Sequence, residues 1–272
     1  MVKTMKFQSE LILQRITSKN LELFGLKLIT NEFQYQNLRF DTLAFDSESK
    51  SFTIIEYKNE YSEKVINQSE GYYNLLKDNP QVYVDKYNEV FKTTLKEEDF
   101  NLENTKVLIV GPKFDSKQIK AANSPHFPFE IWKVSLKKDN TITYENVITN
   151  DTKSLKVTED DLKLTEDELL HDRPDEMIEI YNAVTKRLAE EFSDVDKRIL
   201  IDAFSLRRDD RMVCKFRFYK GYFRAFFYKD SLKDPKNRLE HDEIEGNVKS
   251  YLKITTTDDI DYFIELFKQV IE

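Results

Sequence analysis

Residues 39–60 read RFDTLAFDSESKSFTIIEYKNE. Two strand-like runs, Leu38 to Asp46 and Ser51 to Asn59, flank a polar turn from Asp46 to Ser51, and they pair most simply as a β-hairpin. Asp41 lies inside the first run, and Glu56 and Lys58 close the second. A charged side chain seldom leaves water without a partner, so these three call for ion pairs or a bound cation. Strand alternation puts Ile54, Glu56 and Lys58 on one face and Ile55 and Tyr57 on the other, while Asp41, Leu43 and Phe45 share a face. Pairing that sets Asp41 beside Glu56 brings two carboxylates and an ammonium together at one end of a small sheet. Such carboxylates are costly unless a divalent cation lies between them, and hard oxygen donors suit Mg²⁺, with Mn²⁺ as a substitute. A lysine beside that ion is placed to orient water and to offset the charge that grows on a phosphoryl group under attack.

Spacing alone has little weight, because Asp115/Lys117, Asp151/Lys153, Asp161/Lys163 and Asp234/Lys236 repeat the acid-x-Lys pattern. None of these ends an apolar strand. Only Glu56/Lys58 follows a β-run and is preceded, one hairpin earlier, by a strand-embedded Asp.

Outward from the hairpin, QSELILQRITSKNLELF (8–24) has mostly helical apolar spacing and stops at Gly25. LKLITNEF reads as a strand and EKVINQSEGYYNLLKDNP as a helix that ends before Pro80. TKVLIVGP is a buried strand, with another at FEIWKVSL. The segment 151–174 turns acidic and polar, which predicts a linker between a domain at 1–150 and a second at 175–272. The second domain reads as α+β: a helix from Asp175 to Phe192, an aromatic hairpin (MVCKFRFYKGYFRAFFY), a strand near SYLKITT and a last helix from Thr257.

The chain has 272 residues, a formal net charge of -8, 20 Phe and 14 Tyr, which describes a packed globular protein and argues against coating duplex DNA by bulk charge. Cys214 is the only cysteine, so a disulfide framework and a Cys-based zinc site are excluded. No apolar run approaches the ~18 residues of a membrane span, and the expectation is a cytoplasmic protein with no membrane partner. The 5 glycines form no phosphate loop, which argues against P-loop ATP hydrolysis. His126, His171 and His241 show no ligand spacing and read as solvated. The run from Arg207 to Lys229 interleaves cations and aromatics; packing of an amphipathic hairpin explains it most simply, and a nucleic-acid platform is the alternative.

The order of helix with Glu, strand with Asp, hairpin, strand with Glu-x-Lys and helix with Gln resembles the PD-(D/E)XK nuclease superfamily over residues 8–80. The wording from LFGLKLITNEF to NQSEGYYNLL is especially similar to its restriction-like and mismatch-type endonucleases. The resemblance implies a restriction-endonuclease-like α/β core, a mixed sheet flanked by helices, ahead of a small α+β domain with an antiparallel sheet. It also implies that Asp41, Glu56, the Tyr57 carbonyl and Glu10 bind metal, and that Lys58 and Gln68, the latter followed by Tyr72, serve catalysis. The departure is Phe40 where the superfamily has Pro before Asp. A first-turn Glu10 also suits the helix dipole without any site role. Residues from about Asp175 are similar to a family described as "predicted transport protein", which implies no mechanism.

The expectation is therefore a Mg²⁺-dependent phosphodiesterase acting on nucleic acid, DNA before RNA and endonuclease before exonuclease. The C-terminal domain would serve recognition, a partner or a homodimer. The competing expectation is a binding module that keeps the fold without cleavage.

Overall fold

The computed structural model describes residues 6–124, 128–171, 173–200, 203–229, 231–244 and 247–272. The chain divides into two units, one reaching Lys163 and the other starting at Leu164.

In the first unit α1 (Glu10–Ser18) precedes a hairpin of β1 (Leu26–Tyr35) and β2 (Leu38–Asp46), and then β3 (Ser51–Tyr57). Two helices follow, α2 (Val65–Asp78) and α3 (Pro80–Phe91), then β4 (Lys106–Gly111), α4 (Ser116–Ala122), β5 (Phe129–Leu136), β6 (Thr141–Asn146) and β7 (Thr152–Lys156). The seven strands make one sheet in chain order. β3, β4 and β5 run parallel, and antiparallel pairs flank them on both sides. Every residue of β3 is buried, as befits a strand at the centre of a sheet packed on both faces.

α1 is shorter than the helical spacing of 8–24 predicts. The Ser9 hydroxyl caps it by accepting from the Ile12 amide at 3.2 Å. At the other end the Ser18 hydroxyl donates to the Arg15 carbonyl and the Asn20 amide to the Ile16 carbonyl. Short polar side chains that compete for helix carbonyls favour an end there. Residues Leu21–Phe24 continue as a 3₁₀ turn, and Gly25 takes the left-handed conformation, φ 72°, that lets the chain turn into β1.

The second unit contains α5 (Glu166–Leu170), α6 (Asp175–Glu191), β8 (Asp196–Ile199), β9 (Ala203–Arg208), β10 (Arg211–Tyr219), β11 (Tyr222–Phe227), β12 (Leu239–Ile244), β13 (Asn247–Ile254) and α7 (Ile260–Ile271). Its sheet is antiparallel, in the order β12-β13-β11-β10-β9-β8. Phe216 and Phe227 meet Phe263 of α7, and Phe204 and Phe218 meet Tyr181 of α6.

The stretch 151–174 is not the linker its composition suggests. Residues 152–156 pair with β6 as the outermost strand, and a capping box of Thr165 and Glu168 opens α5. β7 is an edge strand with alternate residues half-buried and a single apolar side chain, Leu155, so its hydrophobic signal is nearly absent. Lys153 instead lies over the Trp132 and Phe24 rings, with its ammonium 5.5 and 5.8 Å from their centroids. Of the three histidines, His241 is exposed and bonded to Ser250, His171 is half-buried, and His126 lies outside the described residues. Among the described residues no helix is long and apolar enough to cross a membrane.

An aromatic cluster centred on the fully buried Phe52 packs against the hairpin. Phe52 contacts the rings of Phe45, Tyr83, Tyr87 and Phe100. Phe52→Ala is expected to destabilise the fold by about 3–5 kcal/mol, the cost of a large unrelaxed cavity. Denaturant titration of both proteins by circular dichroism measures it.

Candidate active site

The β2–β3 register pairs Thr42 with Ile55 and Leu43 with Ile54, and one further step sets Asp41 opposite Glu56. Asp41 accepts the Tyr57 amide through Oδ2 at 2.8 Å. Burial raises its carboxyl to about 6; the Tyr57 amide and Lys58 work against that rise. Glu56 is 1% exposed. Its carboxyl rises to about 8, first because it is buried and then because Asp41 stands beside it, with Lys58 only partly offsetting both.

The Lys58 ammonium donates to Glu56 Oε1 at 2.7 Å and to Glu10 Oε1 at 3.2 Å. Burial alone would lower its pKa, but the Glu56 carboxylate, backed by Glu10 and Asp41, outweighs it and holds the ammonium above its ordinary value. Glu10 reaches the site because it opens α1 and accepts the Asn59 amide on its other oxygen at 3.3 Å. Asp41, Glu56, Lys58 and Glu10 thus converge. Gln68 is exposed on α2 and donates to the Tyr72 hydroxyl at 2.5 Å rather than to Lys58. Tyr72 donates in turn to the Arg39 carbonyl at 2.7 Å, and its hydroxyl rises to about 12, through burial and then the nearby Glu56 charge.

Two positioning residues escaped the sequence reading. Gln14 donates to the Asp41 carbonyl at 2.6 Å and to Glu32 at 2.9 Å. It stands one helical turn after Glu10, a spacing that places both on one face and could have revealed it. Gly111 ends β4 against Lys58: a Cβ there would lie 3.3 Å from the Lys58 carbonyl oxygen and 3.2 Å from the Phe114 ring. Its signal was a glycine closing an apolar strand, which marks close approach of another backbone.

Glu56 Oε2 is buried with no hydrogen-bond partner, an unmet polar atom that calls for an explanation. Among the described residues, no three His, Cys, Asp or Glu side chains are grouped to hold a metal ion. Any ion here would therefore need oxygens beyond the carboxylates. Beside the site a cavity of about 670 Å³ opens at the C-terminal ends of β3, β4 and β5, with Phe7, Asn59, Tyr61, Lys6, Lys113 and Lys133 in its wall. Segments 6–10 and 58–61 border both.

The fold and site define a two-unit protein whose mixed sheet carries a buried carboxylate–lysine cluster at the ends of its parallel strands. The chain belongs to one family with an uncharacterized protein of Haemophilus influenzae, 31% identical over 293 residues that take in 100% of this chain and 95% of the relative. No family model matches. Among solved structures it is similar to the EndoMS–dsDNA2 complex (16% identity, 48% of this chain and 47% of that one, TM-score 0.34). It is also similar to a repair endonuclease from Pyrococcus abyssi (17%, 46% and 46%, TM-score 0.31). A third is Pyrococcus furiosus SfsA in complex with Ca²⁺ (15%, 54% and 62%, TM-score 0.28). The matched part spans about half the length of the first two and under two thirds of the third. Likenesses this slight carry no argument about the chemistry of this chain.

The raised carboxyl of Glu56 makes the stability of the metal-free protein depend on pH. The folded state holds a proton at Glu56 up to about 8, whereas an unfolded glutamate releases it near 4.5. The contribution is full below 4.5 and is lost as pH rises through 8, because the folded state binds more protons across that window. Glu56→Gln should flatten the profile, and between pH 5 and 8 the wild type in EDTA should lose about 5 °C or more of melting temperature relative to the variant. Differential scanning fluorimetry across that range reads it.

Proposed function

We propose that this protein is a divalent-metal-dependent phosphodiesterase that cleaves nucleic acid, DNA foremost and as an endonuclease. The reading rests on one observation: a carboxylate 1% exposed, facing a second carboxylate, with one oxygen bound to a lysine and the other unpartnered. The donor set fits Mg²⁺. Asp41 and Glu56 would supply carboxylate oxygens and Tyr57 its carbonyl, and Mg²⁺ keeps several waters, so three grouped acids are not required. The bound ion would lower the pKa of a water and neutralise phosphoryl oxygens.

The chain's own groups supply the rest. Lys58, kept cationic by Glu56 and Glu10, would orient the attacking water and offset charge on the pentavalent phosphorus. Asp41 is held by the Tyr57 amide and by Gln14 on its carbonyl, which fixes the carboxylate before substrate arrives. Gln68 would act through Tyr72, buttressing the strand that bears Asp41. The cavity, with Phe7 in its wall and Lys6, Lys113 and Lys133 around it, offers room for a nucleotide beside the scissile bond.

A second reading draws on the same ammonium. The ion pairs of Lys58 with Glu56 and Glu10 offset buried charge by themselves, as a binding module that had kept the fold alone would require.

Incubation with supercoiled plasmid, single strands, flaps, mismatched duplex and RNA in Mg²⁺ or Mn²⁺ separates the two. Cleavage of at least one substrate, abolished by EDTA and reduced by about 10²-fold or more in Lys58→Ala and Glu56→Ala, is expected. Failure to cut any substrate, with no Mg²⁺-dependent rise in melting temperature of the wild type over Glu56→Ala, establishes the binding module instead. Gly111→Ala is expected to fold and to lower kcat by about tenfold with little change in KM, because its methyl displaces Lys58 by tenths of an ångström. Steady-state kinetics on the preferred substrate checks it.

A further inference from the structure

We infer that the face of the second sheet opposite α6 and α7 is a binding platform for single-stranded nucleic acid, centred on Arg217, Arg224 and Lys253. Strand alternation sorts this sheet sharply. Cys214, Phe216, Phe218, Phe223, Ala225, Phe227, Leu252 and Ile254 are all buried on the helix side. The alternate positions carry Lys215, Arg217 and Tyr219 on β10, Tyr222, Arg224 and Phe226 on β11, and Lys249, Tyr251 and Lys253 on β13. Lys215, Phe226 and Tyr251 are buried there too, so the accessible part of this face is Arg217, Tyr219, Tyr222, Arg224, Lys249 and Lys253.

The pairing register lines these up. Arg217 stands directly opposite Arg224, and Arg224 directly opposite Lys253, so three cations form a row across three adjacent strands. The next row is Tyr219 opposite Tyr222, whose rings stack at 5.1 Å and 4°. Like charges facing each other across strands destabilise a sheet, and an acidic chain with a net charge of -8 had many other places for them. Aromatic rings make the row tolerable: Arg224 lies 4.6 and 4.5 Å from the Tyr219 and Tyr251 centroids, and Lys253 lies 4.4 Å from that of Tyr222. Asp242 on β12 pairs with Arg224 at 2.6 Å.

A row of cations held over tyrosines matches a polyanion that also presents rings. Phosphates draw the guanidinium and ammonium groups away from the tyrosines, and the half-exposed rings of Tyr219 and Tyr222 accept unstacked bases. Only a single strand offers both at once, because the bases of a duplex face each other; a flat sheet also has no element to enter a groove. The inference does not rest on cleavage by the first unit.

The test measures fluorescence anisotropy of labelled oligothymidylate with the full-length protein in EDTA, which keeps the strand intact, over a series of salt concentrations. Lys253 is exposed, so Lys253→Glu changes no buried group; Arg224→Gln is the second variant, and the melting temperature of each reports folding. Lys253→Glu is expected to weaken binding by about tenfold and to reduce the slope of log affinity against log salt by about 0.7 for the lost phosphate contact. Tyr222→Leu should weaken binding with the slope unchanged, the signature of a lost stacking surface. Absence of binding by the wild type, an unchanged affinity and slope in Lys253→Glu, or equal affinity for a matched duplex overturns the inference.

Discussion

The site depends on a carboxylate that burial should forbid. Glu56 is the penultimate residue of a strand buried at every position, where an unpaired charge would cost several kcal/mol. Lys58, just past the end of that strand, answers it, yet not completely, since burial and the neighbouring Asp41 still raise the carboxyl. Glu10 adds to that cost, since its charge also raises Glu56, so Lys58 has to serve both acids. Glu10 shares the ammonium, the Asn59 amide holds Glu10, and Gly111 leaves room for Lys58 to lie against β4. A purely structural core would gain more from an apolar residue at position 56, because a buried ion pair seldom outperforms the hydrophobic residues that could replace it.

Topology places this cluster beside a cavity. β3, β4 and β5 are parallel and end at one edge, and the segments after them, Asn59 to Tyr61 and Pro112 to Lys113, wall the cavity. In open sheets with parallel strands the crevice beyond the carboxyl ends is where ligands bind, since chains leaving the strands diverge there. The Lys58 amide donates to the Val110 carbonyl at 2.8 Å, which ties the residue before the cavity to the neighbouring parallel strand and limits its motion.

The hairpin from Leu38 to Tyr57 was legible because strand alternation and a polar turn leave strong marks, and Asp41 against Glu56 follows from counting outward from that turn. Convergence of Glu10 with Lys58 came only through the family resemblance, because no local rule brings a helix start to a strand 48 residues away. β7 escaped for a physical reason: an edge strand needs one pairing partner and little burial, so Thr152 to Lys156 carries almost no hydrophobic signal. β8 and β12 escaped in the same way, being the two outer strands of the second sheet. Gln68 was placed correctly on its helix, but its partner is Tyr72, a choice set by side-chain reach that no sequence pattern records.

The two sheets handle charge differently, and the contrast bears on function. In the first, opposite charges are buried together and lower each other's cost, which suits a site that must hold its geometry while charge develops on a substrate. In the second, like charges are aligned near the surface and screened by tyrosine rings, an arrangement easily given up when an anion arrives. Both follow from the two-residue period of a strand. In the second sheet alternation puts Arg217, Arg224 and Lys253 on one face and the pairing register sets them opposite one another, so three cations scattered along the sequence become a row.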